Sequence, residues 1–384
     1  MMREMDFVDE YYAEKDLSLL KKLTLVIPTY NRNYYLSRCL WYHAHFPFGE
    51  IIVADSSPEE KKIVNRETIA KVREMFGANV RYLEYEPETE KYGGDIYRKW
   101  GDAVQHVETE YTQICTDKEF LVPLTLTLCL QYLQDHPDYV VVSGKHYHLE
   151  RNSYGTYFYR DNPTTDIHLE SAWNRFEEMT KNPGCTLLSL HKTVEIKQVY
   201  RSLIENSISD IRFGEIYLEL QDAIRGKVMK LADPVHLYRD TIAFGKMHGF
   251  RKKGESSSFR YPQIWEYTSS DYTKYYSCFR NGILRTLSEV DEFDPMGSEE
   301  QIDKMLHGFI NRRMGSAHPL RNIAVVKNIF YYLPKIMQNL ILTKVMKGSC
   351  SIGDYSPKVL ENTLEVKLIL HIITDSLLEQ EYPK

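Results

Sequence analysis

The strongest constraint on this chain is an alternation running from Leu23 to Asp117, in which short apolar, β-rich runs are separated by stretches of helix length. Leu23-Thr24-Leu25-Val26-Ile27 stops at Pro28-Thr29-Tyr30-Asn31-Arg32, a strand followed by a loop. The segment from Tyr34 to Phe46 places Leu36, Leu40 and His43 at helical spacing, and Glu50-Ile51-Ile52-Val53-Ala54-Asp55-Ser56-Ser57 reads as a second buried strand ending in an acid. A charged helix over 58–76, a third strand over 79–85 and a helix opened by Gly93-Gly94 and running through Val107 continue the pattern. Such alternation favours a parallel sheet with right-handed crossovers, so the expected class is α/β.

The next strand, Tyr111-Thr112-Gln113-Ile114-Cys115, breaks off in Thr116-Asp117-Lys118-Glu119-Phe120. In an open α/β sheet the carboxyl end of a strand is the ligand edge. Two acids one residue apart in extended or turn backbone can both reach one hard cation, and Mg²⁺ or Mn²⁺ held by such oxygens can hold a diphosphate. The same D-x-E is also what a solvated acidic turn looks like. No G-x-G-x-x-G follows the first strand and no P-loop motif occurs, so a phosphorylated ligand has to be held in another way.

Composition narrows the field. At 384 residues, with 43% hydrophobic and 27% charged residues, the chain has the make-up of a globular protein with one large and one smaller part. There is no run of 18 uncharged apolar residues and no basic-then-apolar leader after Met1, so a cytoplasmic location is expected, with no membrane span. Six cysteines lie far apart without a C-x-x-C pair, which disfavours a zinc knuckle and a disulfide framework. A net charge of −6 argues against nucleic acid as a partner.

Three segments in order, Val26-Ile27-Pro28-Thr29-Tyr30-Asn31-Arg32, Val53-Ala54-Asp55-Ser56-Ser57 and Thr109 through Glu119, resemble the successive landmarks of family 2-type glycosyltransferases of the GT-A fold, over roughly residues 22 to 245. The resemblance implies a mixed, mostly parallel GT-A-like sheet flanked by helices and an inverting, metal-assisted transfer from a nucleotide-sugar. It places Pro28, Thr29, Tyr30, Arg32, Asp55 and Thr116 around the nucleotide-sugar and makes Asp117 and Glu119 the metal pair. The family usually carries two aspartates there; this chain has Asp117 and Glu119 around Lys118. Its A-R-N is missing, and the nearest basic pair, Arg98-Lys99, suits either the diphosphate or a solvated helix face.

Beyond the motif, Leu121 to Gln134 reads as a helix, Tyr139 to Leu149 and Tyr154 to Tyr159 as strands, and Lys192 to about Ile204 as a helix. Phe213 through Lys227 reads as a helix with a C-terminal glycine and carries Glu215, Glu219 and Asp222. Helix geometry alone does not choose a catalytic base among them. The family's base lies about eleven residues before such a glycine, which points to Glu215 relative to Gly226, with Glu219 as the alternative and a helix-surface role open for all three. Gly245 to Ser258 reads as a loop able to close over a diphosphate or as a plain linker, and His248 in it is the third metal-ligand candidate that the resemblance implies.

Residues 259–384 show helix-length patterns, so the expected division is a catalytic domain over 1–250 and a helical domain over 251–384. An apolar stripe from Ile323 to Ile341, kinked at Pro334 and ringed by lysines, fits packing against its own domain, a homodimer contact, or peripheral contact with an anionic membrane. The leading expectation is a glycosyltransferase acting on a saccharide or lipid-linked saccharide acceptor in surface glycan synthesis. A nucleotidyltransferase and an inactive glycan-binding module are the competing readings.

Overall fold

The computed structural model describes residues 12, 14–87, 96–152, 155–160, 166–240, 267–291, 299–313 and 364–374. Its centre is strand β1 (Leu23–Thr29), every residue of which is buried. A strand hidden on both faces cannot alternate polar and apolar residues, which is why this stretch reads as a continuous apolar run. β1 pairs in parallel with β2 (Glu50–Asp55) on one side and with β4 (Tyr111–Ile114) on the other, and β2 pairs in parallel with β3 (Val80–Glu84). Helices α1 (Asn33–His43), α2 (Glu59–Phe76) and α3 (Ile96–Gln105) make the crossovers.

The chain thus moves outward from β1 to β3 and returns to the opposite side of β1. The strand order 3-2-1-4 puts a topological switch point between the carboxyl ends of β1 and β4. Past β4 the sheet turns antiparallel through β8 (Leu190–Lys192) and β6 (Tyr139–Asn152), and closes with β9 (Lys227–Asp240) and β5 (Glu119–Leu121). β7 (Gly155–Arg160) pairs with β6 off this path. The sheet is therefore mixed and flanked by helices, as expected.

The helices after β4 are α4 (Pro123–Asp135), α5 (Ala172–Lys181), α6 (Thr193–Glu205) and α7 (Ile211–Arg225). Asp210 caps α7 by accepting from the backbone N–H of Arg212 and Phe213. Gly226 follows α7 for a different reason than a left-handed cap. Its φ of −173° is extended, and a side chain there would overlap Val140 on β6.

Beyond β9 the described residues are helical: α8 (Ser269–Asp291), α9 (Glu299–Arg313) and α10 (Leu364–Thr374). α8 packs on α7 and α5, α9 on α5, and α10 on α1. Phe279 and Phe213 meet edge to face at 5.5 Å, and Phe309 and Ile302 are fully buried. Each large apolar side chain buried this way contributes roughly 1.5–3 kcal/mol, so these helices share the core of the sheet. The boundary expected at residue 250, the Gly93-Gly94 helix start, the loop from Gly245 to Ser258 with His248, and the stripe from Ile323 to Ile341 all lie outside the described residues.

Candidate active site

The switch point is built by three elements. Thr29, the last residue of β1, donates its hydroxyl to Asp117 Oδ2 at 2.9 Å, and Arg32, at the start of α1, donates from Nη1 to Asp117 Oδ1 at 3.0 Å. Between them the chain turns at Asn31, whose φ of 53° is left-handed and suits asparagine better than most residues. Its backbone N–H donates to Ser57 Oγ at 2.8 Å, which ties the first loop to the end of β2. Burial pushes the Asp117 carboxyl up, while Arg32 and Thr29 pull it back.

Other residues expected at the nucleotide are spent on the walls. Lys99 is buried and donates from Nζ to the Thr29 carbonyl and to Ser56 Oγ, both at 2.9 Å, so it is a strut between strand ends and not a diphosphate ligand. Asp55 is also buried and accepts from the Ser57 N–H, the Asn65 amide and the Tyr82 hydroxyl, all within the fold. Pro28 is buried in β1 and Tyr30 is half-buried. Arg98 is exposed and lines a cavity of about 220 Å³ with Tyr97, Lys274 and Cys278.

The turn from Thr116 to Glu119 carries the second acid. Glu119 opens β5, fully buried, where Arg239 of β9 donates from Nε to Oε1 at 2.7 Å and the Thr116 hydroxyl donates to Oε2. Lys118 lies between the two acids, and burial pulls its amine down. Beside the turn, Arg38 and Asp240 form a buried ion pair at 2.6 Å, and the Asp240 N–H donates to the Lys118 carbonyl. Tyr35 stacks near both Arg32 and Arg38 at 5.0 Å, and burial with the nearby Asp240 pushes its hydroxyl up to about 12.

In this structure the acid pair is answered by its own neighbours and is not left open for a divalent cation. A hard cation takes oxygen ligands directed at it, and here all four carboxylate oxygens already accept from arginine or threonine. Among the described residues the group of metal-ligating side chains that does converge is Cys39, His43 and Cys115, directly under the turn. It is occupied by the fold as well. His43 Nδ1 faces the Cys39 carbonyl at 2.8 Å, and Nε2 accepts the Leu121 N–H at 3.2 Å, so both ring nitrogens are in use.

The start of α7 is joined through α3 to the end of β1. Two residues of α3 make the link, since Lys99 reaches the Thr29 carbonyl and the Tyr97 hydroxyl donates to the Ile211 carbonyl at 2.9 Å. Gly214 in that first turn of α7 lies against the Tyr97 ring, where a side chain would overlap it. Glu215 follows with its side chain 31% exposed, 3.7 Å from Arg212 and 3.5 Å from Arg313 of α9. Glu219 is fully buried and takes two hydrogen bonds from Arg313, and burial raises its carboxyl to about 7 against that pull. Asp222 is also buried, accepting from the Thr186 hydroxyl at 2.5 Å and facing His191 Nε2 at 3.2 Å. Of the three candidates for the base, Glu215 alone keeps a solvent-facing carboxylate. Glu219 and Asp222 are held inside by Arg313, Thr186 and His191.

Arg239, Asp240, Arg38 and Arg313 were not singled out from the sequence. Their partners are 120, 202 and 94 residues away, so no local spacing announces them.

No protein-family model matches the chain, and no curated protein matches it. Solved structures do. S. aureus TarS aligns with 83% of this chain and 50% of its own length, at 14% identity and a TM-score of 0.47. Its residues 1–349 in complex with UDP-GlcNAc align over 84% of each chain at 16% identity, TM-score 0.47. The mannosyltransferase PcManGT from Pyrobaculum calidifontis, in complex with GDP-Man and Mn²⁺, aligns over 98% of this chain and 94% of that one at 13% identity, TM-score 0.40. The chain spans half the length of the first of these, and at such similarity they carry no functional weight.

Proposed function

We propose that this chain is a glycosyltransferase that moves a sugar from a nucleotide-sugar to an acceptor hydroxyl with inversion. The observation that carries the reading is the meeting of Thr29, Arg32 and Asp117 at the switch point between β1 and β4. That is where open α/β sheets bind their ligands, and the residues there are the landmarks of the family the sequence resembles. Glu215 is the base in this reading. Its side chain is 31% exposed and stands near the start of α7. The acceptor oxygen bonds to the anomeric carbon as the bond from that carbon to the diphosphate breaks. The bonding pair leaves on the diphosphate oxygen, and the acceptor proton passes to Glu215.

No step is assigned to a divalent cation, because the donor set expected for it is already engaged. Surface glycan synthesis at the cytoplasmic face, with a saccharide or lipid-linked acceptor, is the setting that this chemistry suits. Among the described residues no helix is long and apolar enough to cross a membrane. The test is incubation with a panel of nucleotide-sugars and detection of what is released. Nucleoside diphosphate supports transfer or its hydrolytic side reaction, pyrophosphate means nucleotidyl transfer, and silence with every donor counts against an enzyme.

A further inference from the structure

We propose that Arg32, Arg239 and Lys118, not a divalent metal ion, neutralise the donor's diphosphate in this protein. The inference rests on the nucleotide-sugar reading and concerns the same site.

It starts from what each carboxylate is doing. Asp117 and Glu119 are buried, and each carries an arginine on one oxygen and a threonine hydroxyl on the other. Ionised carboxylates out of water need such partners, and these have them without an ion. A dication entering here would also meet Arg32, Arg239 and Lys118 at close range, so that three like charges would oppose it. Mg²⁺ and Mn²⁺ sites are assembled from oxygens with few cations nearby, and this turn is the reverse.

The cations are arranged as a phosphate site requires. The two acids are inside, while the side chains of Arg32 and Arg239 keep 37% and 22% of their surface exposed. Each carboxylate therefore works as a positioning group for a guanidinium that stays in part at the surface. Guanidinium groups match phosphate oxygens in pairs of parallel hydrogen bonds, and their charge does not titrate in the working range. Lys118, half-buried on the same turn, adds a third positive charge. As the bond from the anomeric carbon to the diphosphate breaks, the negative charge develops on the departing oxygen. Preorganised cations there stabilise the transition state more than the ground state.

The test is calorimetric binding of UDP and GDP to the full chain, in EDTA and then in excess Mn²⁺, with turnover of the corresponding nucleotide-sugars under both conditions. The affinity of the better-bound nucleotide should change less than about threefold between conditions, and Arg32→Gln should weaken it about tenfold in both. Arg239→Met leaves Glu119 buried without its partner, so the double variant Glu119→Gln with Arg239→Met serves as the foldable form. It should also bind about tenfold more weakly. Binding or turnover that collapses in EDTA and returns with Mn²⁺ overturns the inference while leaving the glycosyltransferase reading intact. Metal-independent binding that neither arginine variant weakens overturns the arginine assignment. Failure of every nucleotide to bind under either condition removes the nucleotide-sugar reading, and this inference with it.

Discussion

Among the places in the described residues where a pair of acids is answered by arginine, two belong to the candidate site, and these are built in opposite senses. At the turn from Thr116 to Glu119 both acids are buried and their arginines, Arg32 and Arg239, reach the surface. On α7 the arginine is the inner partner. Arg313 is 14% exposed and holds the buried Glu219, while Glu215 is left half-exposed. The first arrangement offers positive charge to a ligand and the second offers a carboxylate. What a motif presents thus depends on which member of each pair the fold leaves outside, and that is not written in the motif itself. A donor diphosphate and an acceptor proton need those two signs at one end of one sheet.

Breaking the negative member should have the largest effect. Glu215→Gln keeps the shape and removes the basicity, and general-base groups typically contribute about 10²–10⁴-fold. Turnover should fall at least about a hundredfold, with nucleotide binding unchanged in calorimetry. Wild-type turnover in this variant would remove Glu215 from the mechanism, and a product with retained anomeric configuration would remove the need for any base.

The second prediction sharpens where that carboxylate is held. Gly214→Ala puts a methyl group into the Tyr97 ring, which cannot slide away because its hydroxyl is tied to the Ile211 carbonyl. Overpacking of this kind typically costs about 1–3 kcal/mol. Thermal unfolding should show the loss, and turnover should fall more than nucleotide affinity because the first turn of α7 moves with it. An unchanged midpoint would mean that the contact between α3 and α7 is loose and that Glu215 is not positioned by it.

The sheet was legible in the sequence because β1, β2 and β4 are buried on both faces, which forces continuous apolar runs such as Leu23 to Ile27. β5 was not, since its three residues begin inside the acidic motif. β9 was legible only in part, since Lys230, Asp233 and Pro234 interrupt a strand whose middle is exposed. α5 leaves a weaker pattern in the sequence, although Ser171 caps it through the N–H of Asn174. At the site, Thr29, Arg32, Asp117 and Glu215 could be named from landmarks and spacing. Arg239 and Arg313 could not, because ion pairs formed between residues 120 and 94 apart in the chain leave no local trace. Lys99 and Asp55 show the converse, polar residues at the ligand edge that the fold consumes.

The last prediction concerns whether the inner pair on α7 is ionic, and it has the smallest effect at any single pH. Burial raises the Glu219 carboxyl from its ordinary 4.5 to about 7, while Arg313 pulls the other way. If burial wins, the native state holds a proton that the unfolded chain gives up near pH 4.5. A raised carboxyl contributes stability that is fully present below that pH and lost as pH rises through about 7. The full shift is worth on the order of 3 kcal/mol, spread over that window. Glu219→Gln mimics the protonated form at every pH. Denaturation midpoints of wild type and variant should therefore match near pH 5 and separate by pH 7.5, with wild type losing more. Should wild type instead gain stability relative to Gln as pH rises toward 4.5 and run parallel to it above, the Arg313 charge has overcome burial and Glu219 is ionised over the whole upper range. The contrast with Asp117 would then lie in the exposure of the arginines, 37% for Arg32 against 14% for Arg313. Curves parallel from about pH 3 to pH 7.5 would mean that the carboxyl titrates alike in the folded and unfolded chains, which a fully buried side chain can do only if Arg313 offsets its burial completely.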